Sequence, residues 1–174
     1  AQSFDPAEAM NTDAHLLAAA SGEDPASVCD PRRWYSAPLA PPIAAASLDQ
    51  AQFSVADLAD ELEWPPGIEL QVLEGAGGIR SPLAADGDLV DLMWRLPVAL
   101  VILVSDAGLG AINAVRLAAA ATDPFPTIVF LNRFDAENSV HLHNLRWLRE
   151  NDRLTVMTEA VDLAEFLVDR SDRS

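Results

Sequence analysis

"VALVILVSD" (98–106), running into "AGLGAINAVRLAAAAT" (107–122), decides the fold. Seven aliphatic residues in a row, with no polar alternation, predict a strand covered on both faces, as in a parallel sheet. Two glycines then turn the chain into an Ala-rich segment of helical character at 110–122. The same alternation continues downstream. "PTIVFLNRF" (126–134) reads as a strand, "NSVHLHNLRWLREN" (138–151) as a helix, "LTVMT" (154–158) as a last strand and "EAVDLAEFLVDR" (159–170) as a closing helix. Upstream, "IELQVLEG" (68–75) reads as a strand entering a turn, and "GDLVDLMWRL" (87–96) as a helix. Strand and helix in repeated alternation predict an α/β fold, a mostly parallel sheet flanked by helices, in a single domain over 1–174.

The first third is helical and irregular. "TDAHLLAAAS" (12–21) suits a short helix stopped at Gly22. "RRWYSAPLAPP" (32–42) is a Pro-rich irregular stretch, and "PIAAASL" (42–48) the next helix. "SVADLADELEW" (54–64) offers Ser54 as N-cap with Asp57 in its first turn, ending before Pro65 and Pro66.

Bulk properties narrow the function. A chain of 174 residues, half of them hydrophobic, is large enough to bury a core. A formal net charge of −16 repels phosphate backbones, so nucleic acid is not an expected partner. No apolar run reaches the roughly 18 residues of a membrane span, and no signal peptide opens the chain. A single cysteine, Cys29, points to a reducing compartment, and the expected location is the cytoplasm. All eleven basic residues are Arg; there is no Lys.

Ligands of such sheets bind outside the carboxyl ends of the strands, and three strand ends carry suitable residues. In "VLEGAGGIR" (72–80), Glu74 is either a hard oxygen donor for Mg²⁺ beside a glycine corner or a solvated residue at a glycine turn. "SDAGLGAIN" (105–113) opens a helix whose amides suit a carboxylate or phosphate, or makes a short connecting loop. Asn132 ends a strand with a carboxamide able to match an adenine edge, or merely to meet solvent. Asp13 is a candidate second carboxylate or a partner of its helix dipole. His15, His141 and His143 lack metal-ligand spacing, no Ser-His-Asp arrangement is present, and Arg146, Trp147 and Arg149 belong to an amphipathic helix.

In this order and spacing, the pieces resemble the dethiobiotin synthetase family, a P-loop NTPase-like α/β fold, from Ala1 to about residue 135. "AQSF" resembles the stretch after that family's Lys-Pro pair, which implies that Ser3 contacts substrate; Phe4 stands where a small residue is usual. "NTDAHLLAAASG" implies Asp13 as a Mg²⁺ ligand, "APLAPPIAA" a substrate wall, and "EGAGGIRSPL" Glu74 as the other metal carboxylate. "DAGLGAIN" resembles the loop that receives the substrate carboxylate across a homodimer interface. It implies that role for the amides of Gly110, Ala111 and Ile112, with Asn113, although Ala114 replaces the usual His. "FLNR" implies Asn132 at adenine.

The implied activity joins CO₂ to 7,8-diaminopelargonate with ATP and Mg²⁺, closing the cyclic urea of dethiobiotin in biotin biosynthesis. The family's strand–P-loop–helix–strand unit, with its G-x-x-x-x-G-K-[ST], is missing, so the expected domain is N-terminally incomplete and the chain by itself largely inactive. Two other readings stand beside this one: a non-catalytic relative serving as a binding or regulatory domain, and another amidoligase or ParA-like ATPase.

Overall fold

The computed structural model describes residues 1–64 and 66–171. The chain divides into two compact units. One comprises Ala1–Glu63 and Leu73–Leu96, the other Trp64–Val72 and Pro97–Ser174.

In the first unit, β1 (Gln2–Ser3) pairs in parallel with β2 (Trp34–Tyr35), Gln2 opposite Trp34. Between them lie α1 (Asp13–Ser21) and the short α2 (Pro25–Val28). Gly22 ends α1 at φ 78°, the left-handed conformation that glycine tolerates, and its N–H donates to the Ala18 carbonyl. The Pro-rich stretch then enters α3 (Pro41–Ser47), with Pro41 and Pro42 in its first turn, where a missing N–H costs nothing.

α4 (Val55–Asp60) starts at a reciprocal cap: the Ser54 hydroxyl accepts from the Asp57 amide, and the Asp57 carboxylate accepts from the Ser54 amide. The hairpin β3 (Pro82–Ala84) and β4 (Gly87–Asp88) leads into α5 (Leu89–Met93), capped in the same way by Asp88 and Asp91. The core here gathers Tyr35, Ala44, Phe53, Val55, Leu58 and Leu83. The Tyr35 and Phe53 rings stack at 5.9 Å, and the Arg33 guanidinium lies 4.4 Å above the Phe53 ring while donating to both oxygens of Glu61. The Glu61 hydrogen bonds raise the Arg33 pKa further, so that charge is permanent.

The second unit carries the predicted α/β alternation. β5 (Val101–Asp106), α6 (Ala111–Thr122), β6 (Thr127–Asn132), α7 (Ser139–Glu150), β7 (Val156–Met157) and α8 (Ala160–Ser171) follow in order. The three strands form one parallel sheet, β5-β6-β7, and β5 and β6 pair over six residues from Val101–Thr127 to Asp106–Asn132. Leu103, Val129 and Leu131 meet Val115 of α6 and Leu148 of α7 in one core. Arg116 of α6 donates to both carboxylate oxygens of Asp152 and lies 5.8 Å from the Trp147 ring centroid.

The structure corrects three expectations. Residues 68–75 form no strand; Ile68, Leu70, Val72 and Leu73 are exposed, and among the described residues no neighbouring strand supplies the ladder that an extended segment needs. The helix expected over 87–96 is only Leu89–Met93, because Gly87 and Asp88 are used as strand and cap. Within β5 only Leu103, packed with α6 and α7, is buried; on the opposite side Ile102 is partly buried and Val104 is 64% exposed.

Leu131 is fully buried, so Leu131→Ala is expected to cost about 2–5 kcal/mol in urea unfolding. The Arg116 hydrogen bonds hold the Asp152 carboxyl below the ordinary carboxylate range. Its stabilisation is therefore present above the unfolded-state value, roughly 3.9, and is lost as pH falls through the lower folded value. Because the Arg116 side chain is half exposed, Asp152→Asn is expected to cost under about 1 kcal/mol at neutral pH. The gap between variant and parent should close as pH falls through that lower folded value in acid titrations of stability.

Candidate functional site

Asp13 is the first residue of α1, in the turn where the helix dipole favours a carboxylate. Its own side chain is exposed and, among the described residues, takes no hydrogen bond or ion pair. β1 is fastened beside it: the Gln2 carboxamide oxygen accepts from the Ala14 amide at 3.1 Å, and Gln2 is buried. Ser3, next along β1, donates its hydroxyl to the Leu39 carbonyl in the Pro-rich stretch at 2.5 Å. That bond uses the only proton of the hydroxyl and leaves its oxygen as an acceptor, suited to an ammonium or amine hydrogen.

Glu74 lies where the first unit closes on its core. It lines a small cavity of about 50 Å³ together with Ala1, Leu62, Leu73 and Leu89. Gly75 follows because a Cβ there would come within 2.5 Å of the Leu89 side chain, and Gly77 turns at φ 79°. Arg80, at the end of the same stretch, pairs with Asp88, the cap of α5, at 3.0 Å. Glu74 itself is exposed and unpaired.

Among the described residues no group of three or more His, Cys, Asp or Glu side chains is placed to hold a metal ion. Asp13 opens α1 and Glu74 precedes the glycine corner; each is an exposed carboxylate, a hard oxygen donor of the kind Mg²⁺ takes.

In the second unit, the register places two of the predicted strand ends side by side, Asp106 of β5 opposite Asn132 of β6. After β5 the chain turns through Ala107–Gly110. The Asp106 carboxylate accepts from the Gly108 amide at 2.6 Å, and Gly110 sits at φ 95° as the N-cap of α6. No side chain caps this helix. The Ala111 amide donates to Gly108 and the Ala114 amide to Gly110, whereas the amides of Ile112 and Asn113 find no carbonyl. Two adjacent open N–H groups at the positive end of a twelve-residue helix suit a carboxylate. Leu109, at the tip of the loop, is 99% exposed.

After β6, the Asn132 carboxamide oxygen accepts from the Arg133 amide at 3.0 Å, and Arg133 takes a left-handed φ of 54°. Among the described residues the Asn132 NH₂ has no partner, and the oxygen keeps one lone pair for an incoming donor.

The sequence reading passed over Asn144 of α7 and gave His141 no role. The Asn144 NH₂ donates to the carbonyls of Ala107 and Gly108 at 3.0 and 2.7 Å, and His141 accepts the Asp135 amide on Nδ1 at 3.1 Å. Only the helical spacing of these two polar residues, i and i+3, hinted at a shared face.

Comparison with known proteins gives these loops a context. A family model described as an AAA domain matches residues 3–157. The ATP-dependent dethiobiotin synthetase BioD of Haloferax mediterranei is 36% identical over 169 residues, covering 91% of this chain and 69% of that protein. Proteins of the same name from Xanthomonas oryzae pv. oryzae and Corynebacterium efficiens are 40% identical over 119 residues and 42% over 90. The chain spans 49% and 40% of their lengths, and 64% and 50% of it is matched. Parallel strands flanked by helices, with open loops at the strand ends, fit the P-loop NTPase-like fold that this match indicates. With a relative alike across nine-tenths of its length, the chain belongs to the dethiobiotin synthetase family.

Proposed function

We propose that the protein takes part in ATP-dependent closure of 7,8-diaminopelargonate and CO₂ to dethiobiotin, as a cytoplasmic homodimer. The observation that carries this reading is the 36% identity with a named ATP-dependent dethiobiotin synthetase over 91% of the chain. The geometry supports it at three places. Open amides at Ile112 and Asn113 supply the chemistry for the substrate carboxylate, the acceptor oxygen of Ser3 suits a substrate amine, and the free carboxamide NH₂ of Asn132 suits the adenine edge.

In the reaction, one amine takes up CO₂ as a carbamate, and the γ-phosphoryl group of ATP converts the carbamate to a mixed anhydride. The second amine attacks that carbonyl, releases phosphate and closes the ring. The chain's own task is positioning. Ser3 orients an amine, and holding a reactant in place converts a reaction of separate molecules into one between neighbours. The α6 amides receive a substrate carboxylate across the homodimer interface. Asp13 and Glu74 are the residues that would hold Mg²⁺, which when bound offsets charge on the transferring phosphoryl group.

No lysine is available to share that charge, and Arg does not replace the compact ammonium of a phosphate loop. This 174-residue chain is therefore expected to bind 7,8-diaminopelargonate in calorimetric titration and to release little or no ADP from Mg·ATP. Clear ADP release dependent on both ATP and diaminopelargonate would overturn the expectation of inactivity. Absence of diaminopelargonate binding would overturn the substrate assignment. Reading the coding sequence upstream of Ala1 for G-x-x-x-x-G-K-[ST] followed by Lys-Pro separates a synthetase from a binding domain of the same family.

Asp13→Asn and Glu74→Gln are each expected to weaken Mn²⁺ binding, read by paramagnetic broadening, at least about tenfold. Their melting temperatures should stay near that of the parent, since both side chains are exposed and unpaired.

A further inference from the structure

The loop after β5 is held at its start, where Ala107 is fully buried in the core, but has little beyond that point to hold it still. It contains two glycines, and the side chain at its tip, Leu109, is 99% exposed and anchors nothing. A peptide plane next to glycine turns over easily. A turned plane would present a carbonyl oxygen where an anion is meant to find N–H groups.

In the structure the Ala107–Gly108 peptide is tied at both ends. Its N–H donates to the Asp106 carboxylate at 2.6 Å, and its carbonyl accepts from Asn144 at 3.0 Å. The next carbonyl, of Gly108, accepts from the same NH₂ at 2.7 Å and from the Ala111 amide at 3.2 Å. One carboxamide of α7 therefore draws two successive carbonyls toward itself. A Cβ on Gly108 would lie 4.0 Å from His141 Nε2, so α7 also packs close behind the loop. His141, one turn before Asn144, holds the Asp135 amide in the loop that follows Asn132.

We propose that Asn144 is a positioning residue for the carboxylate loop: it touches no substrate, and by holding the Ala107 and Gly108 carbonyls against α7 it keeps the Ile112 and Asn113 amides open to the substrate carboxylate. The assignment rests on the proposed function of that loop.

The test uses the ¹⁵N-labelled 174-residue chain titrated with 7,8-diaminopelargonate and, as a carboxylate without amines, nonanoate. Two variants are compared with the parent. Asn144→Ala removes the side chain, and Asn144→Asp keeps its shape but cannot donate to two carbonyls. The expected result is that both ligands shift the Ile112 and Asn113 amides in the parent. Both variants should raise the Kd about tenfold and speed amide hydrogen exchange over 107–113, with the melting temperature changed by only a few degrees.

Equal Kd values in parent and variants would overturn the role of Asn144 while leaving the function of the loop intact. A parent whose Ile112 and Asn113 amides do not respond to either ligand would overturn the carboxylate site, and the role of Asn144 with it. If the Ala variant does not fold, the Asp variant decides; failure of both to fold would show a structural residue and overturn the proposal.

Discussion

The pairing of β5 with β6 is the constraint from which the second unit follows. Parallel strands cannot be joined by a hairpin, so each must be left at one end of the sheet and re-entered at the other. In-register pairing from Val101–Thr127 to Asp106–Asn132 therefore delivers both departing loops to the same edge. The α6 and α7 helices that return the chain then bury Leu103, Val129 and Leu131. Core and loops come from one choice of register. A slip by one residue would turn Leu131 outward and separate Asp106 from Asn132 in the same stroke.

Elements whose instructions are local were legible in the sequence. The helix ending at Gly22, the Ser54–Asp57 cap, and the segments around β5, α6, β6, α7 and α8 all lie within a few residues of where pattern and capping place them. Segments whose state depends on a distant partner were not. "IELQVLEG" has strand composition, but no neighbour satisfies its backbone. Gly87 and Asp88 look like the start of a helix, yet pairing with Pro82 and Ala84 takes them for a hairpin.

The candidate site shows the same division. Asp13, Glu74, Gly110 to Asn113 and Asn132 were proposed because they sit in recognisable stretches of sequence. Asn144 was not, because nothing near it in the chain signals its task; its partners are 36 and 37 residues away and are backbone carbonyls, which leave no trace in composition. Arg80 was ambiguous for a related reason. Its partner, Asp88, is eight residues on, across a turn that sequence alone did not reveal.

The uncovered run from Ile68 to Leu73 has a consequence for the protein as a colloid. Four large aliphatic side chains stand in water on a segment with unpaired backbone, the kind of surface through which identical molecules adhere. At neutral pH the charge of −16 keeps molecules apart. That repulsion vanishes near the isoelectric point of about 4.2, and salt screens it at shorter range. Dispersal of this chain is thus a matter of its carboxylates, so dilute neutral buffer keeps it dispersed, while mild acid or strong salt favours clustering through residues 68–73.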